Sequence, residues 1–201
     1  MCGRFRIEIS PKDIIGFYRL IEEIDKRYKR YELDLSSPGR DYYPGSEAPV
    51  LTPEGFQLQT WGFPLEKKLV FNGRSESIDE KPMFRSLVHD HRCAVPASAF
   101  YEWNNKRKFS ISTEAPFFFM AGLYRTWQEE GRPKSRFVIL TTDADQQMQS
   151  IHPRMPVLLE EASLKDYLNP ERPFAAIQSQ LRPWGRGLRI ELAPGEQTSF
   201  F

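Results

Sequence analysis

Four separated pieces of this 201-residue sequence carry side chains suited to chemistry. The first is Cys2, which follows Met1. Removal of Met1 would leave a cysteine whose α-amine and thiol share one carbon framework, a 1,2-aminothiol. With reference pKa values of about 8 for the amine and about 8.5 for the thiol, roughly a tenth of the amine is neutral near pH 7 and a few per cent of the thiol is thiolate. Such a pair condenses with an aldehyde in a distinctive way. The amine forms an imine, the sulfur closes a five-membered thiazolidine, and reversal requires two bonds to reopen. The plainer reading makes Cys2 an incidental thiol on a frayed terminus.

The second piece, Phe71-Asn72-Gly73-Arg74-Ser75-Glu76-Ser77, places polar side chains just after an apolar strand. Arg74 suits a bidentate phosphate contact, and Asn72 suits donation to an oxygen or orientation of an amine. Asn72-Gly73 is also a dipeptide that favours a simple turn. In the third, Phe100-Tyr101-Glu102-Trp103, strand alternation puts Phe100 and Glu102 on one face. An apolar face would desolvate the Glu102 carboxyl and raise its pKa toward values useful for proton transfer near neutrality; a half-exposed strand would make it an ordinary surface acid. The fourth, His152-Pro153-Arg154-Met155-Pro156, fixes a histidine beside an arginine between two prolines. That arrangement fits an acid/base next to an anion clamp, or a hydrogen-bonded structural histidine.

Composition bounds what these groups serve. A chain of 201 residues with 40% hydrophobic, 13% aromatic and 27% charged residues is long enough for a real core. It carries no apolar run of membrane-spanning length and no visible secretory signal, so the expectation is a cytoplasmic protein without membrane contact. Twenty-eight basic against twenty-seven acidic side chains give a formal charge of +1, so any nucleic-acid binding must rest on a local cluster. Cys2 and Cys93 are too few for a disulfide framework. His89-Asp90-His91-Arg92-Cys93 lacks a second matching ligand pair, so neither a metal nor another cofactor is expected. Cys93, within the apolar run around Ala94 and Val95, reads as core.

The elements that must position these groups are short. Ser10-Pro11-Lys12-Asp13 followed by recurring apolar residues predicts a helix from about 11 to 28. Residues 36 to 55 read as a punctuated loop with a short strand at 50–52. Strands are predicted over 56–61, 69–71, 92–95, 100–103, 109–112, 117–124, 137–142 and 188–192. Brief helices are predicted over 82–89, from the Thr142-Asp143-Ala144-Asp145 capping box to about Ile151, and over 162–168. Many short strands with few helical crossovers argue for an α+β fold, a mainly antiparallel, barrel-like β core with flanking helices in a single domain spanning 1–201.

Taken in order, Cys2-Gly3-Arg4-Phe5, Asn72-x-Arg74-x-Glu76, Phe100-Tyr101-Glu102-Trp103 and His152-x-Arg154-Met155-Pro156 resemble the SOS response-associated peptidase family, the abasic-site processing proteins. The resemblance covers about residues 2–160 and leaves the segment after about 170 unassigned. It implies a protein that forms a covalent thiazolidine with the ring-opened aldehyde of an abasic site in single-stranded DNA. Autocatalytic removal of Met1 and abasic-site lyase activity are implied with it. Carried over, Cys2 is the crosslinking nucleophile, Asn72 positions its amine, Glu102 shuttles protons, and His152 assists sugar ring-opening or lyase chemistry. Arg4, Arg74 and Arg154 become phosphate contacts, and Trp61 a DNA contact. Asp41-Tyr42-Tyr43-Pro44-Gly45 and Trp61-Gly62-Phe63-Pro64 depart from the family pattern in two DNA-facing segments.

The implied partner is single-stranded DNA containing abasic sites, bound by a monomer. Two alternatives stand beside this reading. One is a thiol peptidase using Cys2 with His152 as base. The other is a non-catalytic single-strand binding module in which Trp61, Phe63 and Trp103 stack on bases.

Overall fold

The computed structural model describes residues 2–24 and 39–193. In chain order the elements are β1 (Phe5–Ile7), α1 (Ile14–Ile24), β2 (Arg40–Tyr42), β3 (Glu47–Thr52), β4 (Gly55–Trp61), β5 (Phe63–Leu65), β6 (Lys68–Val70), β7 (Asn72–Arg74), α2 (Leu87–Asp90) and β8 (Arg92–Ala97). They continue with β9 (Ala99–Asn104), β10 (Arg107–Thr113), β11 (Phe118–Glu129), β12 (Arg132–Asp143), β13 (Arg154–Pro156), β14 (Leu158–Leu159), α3 (Glu161–Leu168), α4 (Phe174–Ile177) and β15 (Leu188–Leu192).

Strands β12, β4, β3, β8 and β11 pair in sequence, and β11 returns to β12, so five strands close into a barrel. All of these pairings are antiparallel except β12 with β4. Short β7 lies parallel to β12 just beyond the end of β4, with Ile139 opposite Asn72 and Thr141 opposite Arg74. A second antiparallel sheet runs in the order β15, β10, β9, β1, β2. The fold is α+β and mostly sheet, as the strand pattern predicts.

Two-residue turns join the long hairpins. Asn105-Lys106 and Glu130-Gly131 both take positive φ at their two central residues, the geometry whose twist matches paired strands. The core is aromatic. The rings of Phe5, Trp61 and Phe137 stack or tilt on one another within 6.2 Å, and all three side chains are fully buried. Burying each contributes about 1.5–3 kcal/mol relative to exposure. In α1, Ile14, Phe17, Tyr18 and Ile21 recur at helical spacing and face this core, while the Ser10 carbonyl accepts from the Asp13 and Ile14 amides to start the helix.

Several predicted elements differ. Residues 25–28 of the first predicted helix lie outside the described residues, and within them the helix begins at Ile14. The strand predicted at 50–52 extends over Glu47–Thr52 because the whole segment pairs with β4. Thr142 and Asp143 do not cap a helix: they complete β12, where Asp143 pairs with Arg154. Asp145 instead caps a turn, its Oδ1 accepting from the Gln147 and Met148 amides. The helix at 82–89 shrinks to Leu87–Asp90. Cys93 is fully buried in β8, as expected of a core cysteine.

Candidate active site

The segment leading into β1 runs antiparallel beside β9. Phe5 pairs with Phe100, and one step earlier the Tyr101 amide donates to the Arg4 carbonyl at 2.9 Å. The Cys2 Sγ points at that same carbonyl, 3.8 Å away. From the barrel side, the Asn72 side-chain amide donates to the Cys2 carbonyl at 2.9 Å. Asn72 holds this place because β7 is a strand and not a turn. A Cβ on Gly73 would come within 2.6 Å of the Ile78 Cδ1, so a larger residue there would require the Ile78 side chain to shift. The Asn72 Oδ1 is buried and has no hydrogen-bond partner among the described residues.

Glu102 lies on the same face of β9 as fully buried Phe100 and is itself 3% exposed, whereas Trp103, on the other face, is 43% exposed. Burial raises its pKa; the positive charges of the chain's terminal amine and of His152 act against that rise. The carboxyl is therefore held above the ordinary carboxylate range, as the sequence alternation implies. Its charge is also felt at Cys2. Burial first, and Glu102 second, push the Cys2 thiol far above its usual range. In the chain that still carries Met1, Cys2 has no solvent exposure, and the low dielectric around it favours the neutral thiol.

His152 is brought to this region by the turn before it. Asn104, at the end of β9, donates its side-chain amide to the Ser150 carbonyl at 2.6 Å, tying the two segments together. The Arg154 amide lies 3.0 Å from His152 Nδ1. The Arg154 carbonyl lies 2.9 Å from the same nitrogen, so the backbone of Arg154 holds the ring in place.

The predicted phosphate arginines fare differently. Arg74 is exposed, and no ion pair forms to it among the described residues. Arg154 is mostly enclosed: it makes two 2.8 Å hydrogen bonds to the Glu76 carboxylate, one of 2.6 Å to Asp143 and one of 2.7 Å to the Thr141 carbonyl. It ties the turn after β7 and the end of β12 to β13, and a phosphate there would compete with two carboxylates. Arg4 is likewise paired, with Asp41, through Nε at 2.8 Å and through Nη2. Trp61 is a plain correction. Its side chain is fully buried, with the indole N–H donating to the Phe71 carbonyl at 2.9 Å, so no base can stack on it. Phe63 is equally buried.

Cys2, Asn72, Glu102 and His152 thus converge from the N-terminal segment, β7, β9 and the turn before β13. Sequence reading missed the acids that hold the arginines, Asp41 and Asp143. Their roles follow from the pairing of three-residue strands, which leave almost no periodic signal.

The model of the family described as SOS response associated peptidase (SRAP) matches residues 1–194. The abasic site processing protein YoqW of Bacillus subtilis is 31% identical over 212 aligned residues, covering 92% of this chain and 88% of the relative. The abasic site processing protein YedK of Escherichia coli is 27% identical, covering 85% of this chain and 81% of the relative. A crystal structure of a protein from Bacteroides thetaiotaomicron has the same fold, with a TM-score of 0.76 at 23% identity, covering 96% of this chain and 92% of that one.

Proposed function

This chain belongs to the SOS response associated peptidase (SRAP) family, and on that premise we propose that it processes abasic sites in DNA by condensing Cys2 with the lesion's aldehyde. The observation that carries the reading is the convergence on Cys2 of a buried amide, from Asn72, and a buried carboxyl with a raised pKa, from Glu102. Hydrolysis of the Met1–Cys2 bond is the necessary first step, because an acylated nitrogen cannot form an imine. It consumes one water and frees the α-amine.

The neutral amine then adds to the aldehyde of the ring-opened sugar. Loss of water from the carbinolamine needs a proton donor, and Glu102, whose pKa burial raises, supplies it. The Cys2 thiol, kept neutral by burial, adds across the imine carbon while its proton passes to the imine nitrogen, closing the thiazolidine. Protein and DNA are joined with the net loss of one water in the condensation. Asn72 holds the Cys2 carbonyl, and its free Oδ1 is the acceptor that orients the new amine. His152 assists opening of the sugar ring. The same imine supports strand cleavage by β-elimination, the lyase activity. Arg74, exposed two residues from Asn72 in β7, contacts the strand's phosphates.

Two rival readings lose support. A thiol peptidase needs a thiolate beside its base, and burial drives the Cys2 thiol the other way. Of the three aromatics a stacking module would use, Trp61 and Phe63 are buried and only Trp103 is exposed.

Incubation with a single-stranded oligonucleotide bearing one abasic site, followed by heating in denaturant and electrophoresis, tests the proposal. A heat-stable protein–DNA band absent with the intact oligonucleotide supports it. No band, or equal bands with both, overturns it.

A further inference from the structure

Beside Cys2, among the described residues, two arginines and two acids form one network. Arg4 and Arg6 project from the N-terminal strand, and Asp41 meets them from β2, opposite Arg6 in register. The Asp41 carboxylate accepts from Arg4 Nε at 2.8 Å and from Arg6 Nη1 at 3.1 Å, so both of its oxygens are engaged. Arg6 Nε also donates to Glu8 at 2.7 Å. The Arg4 guanidinium lies over the rings of Tyr43, at 4.8 Å, and Tyr101, at 5.2 Å, which fix its plane. Tyr43 is 44% exposed, so this assembly reaches the surface while the Arg4 carbonyl contacts the Cys2 thiol. Two arginines converging on one carboxylate between aromatic rings form an anion cradle that already holds an anion.

We propose that Asp41 is an internal competitor for DNA phosphate: its carboxylate fills the Arg4–Arg6 cradle in the free protein, and a backbone phosphate flanking the lesion displaces it when a strand binds. This rests on the reading of the neighbouring site as one that engages a DNA strand. Asp41 therefore sets how tightly any strand is held, damaged or intact. Its displacement offsets part of the gain from the phosphate contact, so binding is weaker and less salt-dependent than two arginines would otherwise give.

The test is fluorescence anisotropy of the full chain with an intact oligothymidylate over a range of salt, comparing wild type with Asp41→Asn. Asparagine keeps the size and removes the charge, leaving the cradle net positive. The expected result is binding tighter by roughly three- to tenfold, with the log–log salt slope steeper by about 0.7, one single-strand phosphate's worth. Unchanged or weaker binding overturns the inference and makes Asp41 a positioning residue for Arg4. Should Asp41→Asn fail to fold, Glu8→Gln, at a side chain 58% exposed, decides: a smaller gain supports the inference and no gain overturns it. Covalent capture of an abasic strand by wild type is read separately. Tighter binding by Asp41→Asn without capture by wild type would overturn the abasic-site reading and leave the cradle standing; capture without tighter binding would do the reverse.

Discussion

The side-chain amide of Asn72 donates to the carbonyl oxygen of Cys2 at 2.9 Å, across 70 residues of sequence, and so fixes the N-terminal segment against the barrel. Replacing Asn72 with Ala removes this bond and the Oδ1 acceptor together. The expected stability loss is about 1 kcal/mol, since one hydrogen bond is lost and the Cys2 carbonyl is left unsatisfied. The crosslinking rate is expected to fall by at least about tenfold, because a wandering amine loses its attack geometry. Single-turnover crosslinking together with urea unfolding checks both. An unchanged rate in a folded variant would remove Asn72 from the mechanism.

Cys2→Ser keeps an amine but replaces the sulfur. The durable crosslink should vanish, while a Schiff base remains trappable by borohydride. A heat-stable adduct from Cys2→Ser without reductant would contradict the thiazolidine.

Glu102 carries a pH signature. Its pKa is raised in the folded chain above the ordinary 4.5, by burial above all. The folded protein then keeps a proton that the unfolded chain has released, so this group's contribution is fullest below the ordinary value and is lost as pH rises through the folded pKa. Glu102→Gln should abolish that loss and become relatively more stable at about pH 8 than at about pH 4, while slowing crosslink formation. Asp41 and Glu76 have the opposite sign: burial would raise their pKa values, but hydrogen bonds from Arg4, Arg6 and Arg154 outweigh it and lower them. Their contribution is present above the ordinary values and lost as pH falls through the folded ones. Urea unfolding across this range checks both directions.

Arg92 is predicted to be a pillar of the fold. It is 1% exposed, and its guanidinium donates to the carbonyls of Tyr167, Val88, His89, Asn169 and Arg172, gathering the ends of α2 and α3. Arg92→Leu strands those acceptors at a cost of about 3 kcal/mol or more. By calorimetry the melting temperature should fall by roughly 6–12 °C; a fall under a few degrees would show that the carbonyls find other partners.

What the sequence made legible depended on the length of each element. The strands around 56–61, 92–95, 100–103 and 137–142 stood out because β-branched and aromatic residues run together there, and 188–192 matched β15 throughout. Alternation alone placed Glu102 beside Phe100. Strands β1, β2, β7 and β13 have three residues each, too few for a period, yet they position Cys2, Asp41, Asn72 and Arg154. Trp61 was misjudged for a related reason: an indole reads alike in a groove or a core until the strands that enclose it are known. The helix predicted after Thr142 gave way because ladder partners on both sides of β12 outweigh a local capping pattern.

The most direct test of the central claim is the intact mass of the protein, alone and after incubation with a single-stranded oligonucleotide carrying one abasic site. The account predicts that the protein alone lacks Met1, and that the adduct weighs protein plus oligonucleotide minus one water and is absent with the undamaged strand. A protein that has lost Met1 and still forms no adduct would contradict it.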